Sequence, residues 1–292
     1  MDDALLCAAA PGKINLYLKV TGRRANGYHE LESLFLPLTE PADDIAVDCD
    51  MLPGAITVGT SDIMIPGGLQ NIAGKAAELW AKKTGTVPHW DINIAKNIPV
   101  AAGMGGGSSD AAAVLKLLND HAGKPLNDAE LAAAALELGA DVPFFLDARS
   151  AIMTGIGEVA EPLDFTLPEL NIVLIAPGFP VSAREGYSLM DSNCIAPMSE
   201  ALRCDILNSL RSNDIEKLSQ LLFNDLQAGV FHKFPLLKML TQEVQECGAL
   251  NALMTGSGPT LFALFASSQA ADQAVEAMQT AHSDFKIIRA RQ

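Results

Sequence analysis

The sequence predicts an α+β fold of two domains, and three observations carry that expectation. Strand-like and helical segments follow one another without the regular alternation that a doubly wound parallel sheet requires. A stretch rich in proline and acid, residues 161–170, breaks the periodicity and divides 1–162 from 163–292. The chain has 292 residues, 49% of them hydrophobic, which is enough for one large domain or two ordinary ones, with ample core.

Residues 14–20, 33–38 and 45–48 alternate towards half-buried strands. Residues 70–84 carry Ile72, Ala76, Leu79 and Trp80 at helical spacing, and 90–95 return to a strand. Next comes IPVAAGMGGGSSDAAA, residues 98–113, in which Gly103, Gly105, Gly106 and Gly107 crowd one bend. Ser108, Ser109 and Asp110 are cap-forming residue types, and the apolar run from Ala111 to Leu118 reads as a helix behind them. Asn127 followed by Glu130 is an N-cap signature for a helix through Leu138, which Gly139 closes. The second domain is expected to hold a strand at 172–176 and several helices. A second glycine turn (Thr255-Gly256-Ser257-Gly258-Pro259), a strand at 260–265, a helix from Ser268 and a strand at 286–289 complete it.

Thirty-five acidic against twenty basic side chains leave a formal charge of −15, a surface that repels nucleic acid and anionic lipid. Any anionic ligand therefore has to be held by local devices. No apolar run reaches membrane-spanning length, and no basic segment precedes an apolar one at the start, so a cytoplasmic protein is expected. Five scattered cysteines without C-x-x-C read as reduced packing residues, and the histidines lack metal-ligand spacing.

Four segments stand apart from scaffold. A glycine-rich bend feeding a helix start turns unpaired N–H groups and the positive dipole end towards one spot, where an anion is stabilised. Its order of residues is neither G-x-x-x-x-G-K-[ST] nor G-x-G-x-x-G. Pro11-Gly12-Lys13-Ile14-Asn15 puts Lys13 and Asn15 on one side of the first strand. Residues 21–30, TGRRANGYHE, gather cations, polar groups and an aromatic ring in a chain poor in all three; Tyr28 and His29 together suit a planar heterocycle. Asp141 lies in the otherwise apolar LGADVPFF, where a lone carboxylate is costly unless paired or used. Together these fit phosphoryl transfer: a cradle for a triphosphate, a carboxylate to accept a proton, and a lysine to steady the oxyanion.

Residues 99–109 resemble the phosphate loop of the GHMP small-molecule kinases, P-x-x-x-G-[LM]-G-[GS]-[GS]-S. With PGKINLYLKVTGRRANGYHELESLF, LGADVPFF and MTGSGPTLF, the chain resembles the branch of that family that phosphorylates the tertiary 2-hydroxyl of a cytidyl diphosphate polyol, on the non-mevalonate route to isoprenoid precursors. The resemblance implies a ribosomal-protein-S5-domain-2-like ATP-binding domain followed by a ferredoxin-like α/β domain. It implies Asp141 as general base with Lys13 as its cationic partner, and Asn15 positioning the substrate. Gly103, Met104, Gly105, Gly106, Gly107, Ser108 and Ser109 would surround the ATP phosphates, with Asn71 and Lys96 at the adenosine. Tyr28 and His29 would read cytosine, with Tyr187 as the second aromatic. Mg²⁺ is expected with ATP and without a dedicated protein cage, held by phosphates, Ser109 and water. The expected partners are the two small molecules, in a monomer or homodimer.

Two departures stand out: Ala183 where the family has a threonine on the cytidine side, and Asp110 where some relatives have asparagine. Competing readings are a GHMP kinase for homoserine, mevalonate or a sugar, which has no evident need of Tyr28-His29, and a catalytically inactive nucleotide-binding module.

Overall fold

The computed structural model describes residues 5–190 and 194–292. The strands are β1 (Leu5–Arg23), β2 (His29–Asp48), β3 (Ala55–Thr60), β4 (His89–Ala95), β5 (Ala151–Thr154), β6 (Val159–Pro162), β7 (Asn171–Ala176), β8 (Asn251–Met254), β9 (Leu261–Phe265) and β10 (Lys286–Ala290). The helices are α1 (Ile72–Thr84), α2 (Gly106–His121), α3 (Asp128–Leu138), α4 (Val142–Asp147), α5 (Ala183–Leu189), α6 (Glu200–Arg211), α7 (Ile215–Leu221), α8 (Gln227–Lys233), α9 (Pro235–Glu246) and α10 (Ser268–Ala281). No helix among the described residues is long and apolar enough to cross a membrane. All five cysteines are free.

The chain packs as two compact units, each assembled from separated segments. The first holds the described part of 1–12 together with 42–98 and 105–148. Here the Asp44–Asp48 half of β2 runs antiparallel to β4, and β3 runs parallel to β4 on its other side. Helix α1 packs chiefly on α2, and α2 also on α4. Small residues make that close approach possible: Ala73, Ala76, Ala77 and Ala81 of α1 and Ala111, Ala112 and Ala113 of α2 are all buried. Trp80 fills the remaining space edge-on to Trp90, at 5.7 Å between ring centres, and donates its indole N–H to Asn119 at 3.2 Å.

The second unit holds 13–41, 99–104 and 149–292. Its four-stranded antiparallel sheet has the order β10-β7-β9-β8. Val173, Ile175, Leu261, Ala263 and Phe265 from that sheet meet Leu237, Leu240 and Val244 of α9 and Ala271, Ala274 and Met278 of α10 in one core. Leu18 and Val20 of β1 pack into the same core, and Leu18 exchanges backbone hydrogen bonds with Phe223 and Asp225. Separately, Ser33–Phe35 of β2 pairs with β5, which pairs with β6.

Three sequence expectations change. The strands read at 33–38 and 45–48 are one continuous β2, and β1 reaches back to Leu5. Ser108, Ser109 and Asp110 do not cap a helix starting at Ala111. The helix begins at Gly106 behind Gly105, whose φ of 74° is open to glycine at little cost, so those polar residues lie inside the first turns. Strands β3, β5, β6 and β8 carry no alternating pattern strong enough to read. All four residues of β6 are exposed, so nothing in their order marks an inward face. By contrast, the capping box of Asn127 with Glu130 is present, and Gly139 ends α3 as expected.

Candidate active site

In the first unit the chemistry gathers where α2 begins. With Gly105 as N-cap, the N–H groups of Gly106, Gly107 and Ser108 precede the first intrahelical donor, Ser109 N–H, which bonds Gly105 O at 2.9 Å. No acidic side chain occupies the first turn to compete for those donors. A Cβ on Gly106 would stand 3.1 Å from Ile98 Cγ2, so a side chain there would require the buried Ile98 to shift by a few tenths of an ångström. Ser109 is buried, and its Oγ has no hydrogen-bond partner among the described residues. A buried hydroxyl without a partner costs about 1–3 kcal/mol, which an incoming oxygen or cation can relieve.

Beneath this turn lies a buried cluster of three ionisable side chains. Lys96 Nζ donates to Asp43 and, at 2.7 Å, to Asp110. The other oxygen of Asp43 accepts the backbone N–H groups of Asn97 (2.6 Å) and Ile98 (2.8 Å), fixing the backbone that approaches the glycines. Burial raises the Asp110 carboxyl to about 7, with the Lys96 charge acting against that rise and Asp43 reinforcing it. Asp110 thus belongs to a brace inside the unit.

Asn71 is the N-cap of α1: its Oδ1 accepts from Ala73 N–H at 2.9 Å, and its Nδ2 donates to Pro66 O at 3.1 Å. Asp141 is partly buried at the N-cap of α4 and makes no side-chain cap bond there.

In the second unit a hydrogen-bonded chain surrounds Lys13. Its ammonium, 3% exposed, donates to Asn15 Oδ1 and Gly103 O, both at 2.7 Å, and lies 4.8 Å from the centre of the Phe35 ring. Thr255 Oγ1 donates to Asn15 Oδ1 and accepts Asn15 N–H, while Asn15 Nδ2 donates to Ser33 Oγ. Every polar atom of the Asn15 side chain is therefore committed, which fixes its rotamer. Gly103 has φ 77°, and a Cβ there would run into the Thr255 carbonyl oxygen. Asn224 holds the second glycine turn in place, donating to Met254 O and Gly256 O.

The same unit carries the aromatic residues. His29 and Tyr187 stack with ring centres 5.0 Å apart and planes at 9°, while Tyr28 is 60% exposed. Burial first, and then the Arg23 guanidinium, hold the His29 imidazole below its ordinary value. It is therefore neutral at pH 7, with one ring nitrogen donating and the other accepting.

Models of the GHMP kinases N terminal domain and the GHMP kinases C terminal domain match residues 71–149 and 206–284. The 4-diphosphocytidyl-2-C-methyl-D-erythritol kinase of Geobacter sulfurreducens is 38% identical over 274 residues, covering 94% of this chain and 95% of that protein. The enzyme of the same name from Syntrophotalea carbinolica is 39% identical over 91% of this chain and 92% of its own length. The chain belongs to the 4-diphosphocytidyl-2-C-methyl-D-erythritol kinase family. A crystal structure of a 4-(cytidine 5'-diphospho)-2C-methyl-D-erythritol kinase covers 98% of this chain and 100% of its own, at TM-score 0.80 and 33% identity. The homoserine kinase of Cytophaga hutchinsonii, at TM-score 0.76 and 15% identity, shares the fold alone. The GHMP kinase fold expected from the sequence is the fold observed.

Of the residues singled out in this family member, Lys13, Asn15 and Gly103 come together within one unit, and His29 and Tyr187 within the same unit. Lys96 and the start of α2 come together in the other. Asp43, Ser33, Thr255 and Asn224 were not singled out as site residues. Thr255 opens a glycine turn that the sequence does display, whereas Asp43 sits in PADD, which reads as an exposed acidic turn.

Proposed function

We propose that this chain transfers the γ-phosphoryl group of ATP to the 2-hydroxyl of 4-diphosphocytidyl-2-C-methyl-D-erythritol, in the cytoplasm, on the non-mevalonate route to isoprenoid precursors. The observation that carries this reading is the 38% identity to a kinase of that name across 94% of the chain. Residues 1–162 serve chiefly ATP, and 163–292 contribute to the substrate.

In this reading the substrate oxygen forms a bond to the γ-phosphorus while the bridging oxygen of the β-phosphate leaves as ADP. The hydroxyl proton passes to the Asp141 carboxylate, and the Lys13 ammonium steadies the negative charge on the attacking oxygen. The transition state is loose, so Asp141 needs little basicity and positioning supplies most of the rate. Asn15, with its amide fixed by Lys13, Thr255 and Ser33, offers the substrate a rigid neighbour. The N–H groups from Gly106 to Ser108, with Ser109 and the backbone of Gly103, Met104 and Gly105, receive the phosphates, while Asn71 and Lys96 lie at the adenosine. The neutral His29 ring reads the polar edge of cytosine, which Tyr28 and Tyr187 stack against. Among the described residues no group of three or more acidic, His or Cys side chains is disposed to hold a metal. The buried, unpartnered Ser109 Oγ fits a Mg²⁺ ion carried in by the nucleotide. Such an ion offsets the phosphate charge that develops during transfer.

The Asp141→Asn variant tests the mechanism. ATP binding, measured by calorimetry, stays within about twofold of the parent, while turnover falls by roughly 10²-fold or more, the usual consequence of losing a general base. Turnover preserved in that variant removes Asp141 from the role.

A further inference from the structure

The turn between β1 and β2 puts one residue directly opposite His29. Arg24 N–H donates to Tyr28 O at 2.7 Å, and a Cβ on Gly22 would lie 3.6 Å from Glu30 Cβ. These two pairings fix the register, so Arg23 faces His29 across the ribbon. Directly opposed residues share a face of a sheet, so the Arg23 guanidinium rises on the side where His29 stacks against Tyr187. Its charge is felt there, since Arg23 is the second influence that depresses the His29 imidazole.

A second arginine approaches the stack from another element. Arg184 is exposed on α5, three residues before Tyr187. Residues three apart on a helix are surface neighbours, about 5–6 Å between Cβ atoms. Arg23 thus lies across the ribbon from His29 and Arg184 one helical turn from Tyr187, so each ring of the stack has an arginine at a neighbouring backbone position.

Neither arginine has a partner among the described residues, and this sets them apart. Arg24 is paired with Glu30 and Glu158, Arg203 with Glu32, Arg211 with Asp164, Arg289 with Asp272 and Arg291 with Glu40. In a chain with 35 acidic against 20 basic residues, carboxylate partners are plentiful. Two guanidinium groups nevertheless stay uncommitted beside the same aromatic pair. Exposed cations beside a flat stacking surface are what a nucleotide's phosphates need. A guanidinium meets phosphate oxygens through two parallel N–H donors, and in a protein of net charge −15 a multiply charged ester can be attracted only by such local positive charge.

We propose that Arg23 and Arg184 clamp the diphosphate of the cytidyl substrate and so set the preference for a nucleoside diphosphate ester over an uncharged nucleoside. The clamp rests on His29 and Tyr187 receiving the base. It also gives the Ala183 departure a context: beside the missing hydroxyl, this chain carries a cation at the next position of α5.

Calorimetric titration of the full chain with CDP and with cytidine tests the clamp. The parent binds CDP more tightly than cytidine. Arg23→Gln and Arg184→Gln each weaken CDP by about tenfold, as expected for loss of a charge-assisted contact. The double variant brings CDP close to the affinity of cytidine, which stays as in the parent, and Arg23→Lys restores part of the loss. A double variant that keeps the parent's preference for CDP overturns the clamp while leaving the base platform standing. His29→Ala separates the two readings, because it weakens CDP and cytidine by the same factor if the ring reads the edge of the base. Cytidine binding unchanged in His29→Ala, or absent in the parent, overturns the platform and the clamp with it.

Discussion

The start of α2 and the His29–Tyr187 stack, one in each unit, are built by opposite means. At α2 the groups that the proposed function assigns to the phosphates are backbone N–H groups, and what holds them is buried: Gly106 against Ile98, and Asp43 on Asn97, Ile98 and Lys96. At the aromatic stack the groups assigned to the cytidyl substrate are side chains, on a two-stranded turn and a short helix, with Tyr28 largely exposed. A backbone site cannot be altered without altering the fold around it, whereas a side-chain site can be edited residue by residue. On the proposed function, the substrate side is therefore the part that can vary while the fold stays the same.

The sharpest way to break the comparison is Asp43→Ala. It leaves Lys96 facing Asp110 alone and orphans two buried N–H groups, so thermal or denaturant unfolding shows a loss of about 3–5 kcal/mol together with weakened ATP binding. A variant as stable as the parent shows that the cluster does not brace the turn. Tyr28→Ala is the counterpart in the other region. Because the ring is 60% exposed, stability is unchanged, while KM for the cytidyl substrate rises about tenfold, as expected if stacking is worth about 1–3 kcal/mol. A larger change in KM for ATP assigns the ring to the wrong ligand.

The smallest effect is at Asp110. Its carboxyl is raised to about 7 from 3.8, so the folded chain holds this proton more tightly than the unfolded chain. That contribution is complete below about pH 4 and is lost as pH rises through 7. Asp110→Asn removes it, and stability relative to the parent therefore climbs between pH 4 and pH 8. A pH-independent difference contradicts the assignment.

Much of this was legible in the sequence because the physics is local. Asn127 with Glu130 caps a helix wherever it occurs, and the alanine and tryptophan spacing of α1 defines its buried face. The glycines announce the tight turn before α2, where Gly103 and Gly105 take positive φ, and the GYHEL segment carries much of the resemblance to the cytidyl-substrate branch. What stayed hidden depends on distant partners. Asp43 gains its meaning from Lys96 and Asp110, 53 and 67 positions further along (96 − 43 and 110 − 43), and Thr255 from Asn15, 240 residues away. The start of α2 was misplaced because serine and aspartate are common caps, and here a glycine at positive φ takes their place. Arg23 lies in the segment 21–30 that stands out in the sequence, whereas nothing in the residues around Arg184 ties it to the distant His29.

The most direct test of the account is phosphoryl transfer from γ-labelled ATP to 4-diphosphocytidyl-2-C-methyl-D-erythritol, run beside homoserine and mevalonate. The account predicts label on the cytidyl substrate alone; equal labelling of all three, or label on homoserine or mevalonate instead, contradicts it.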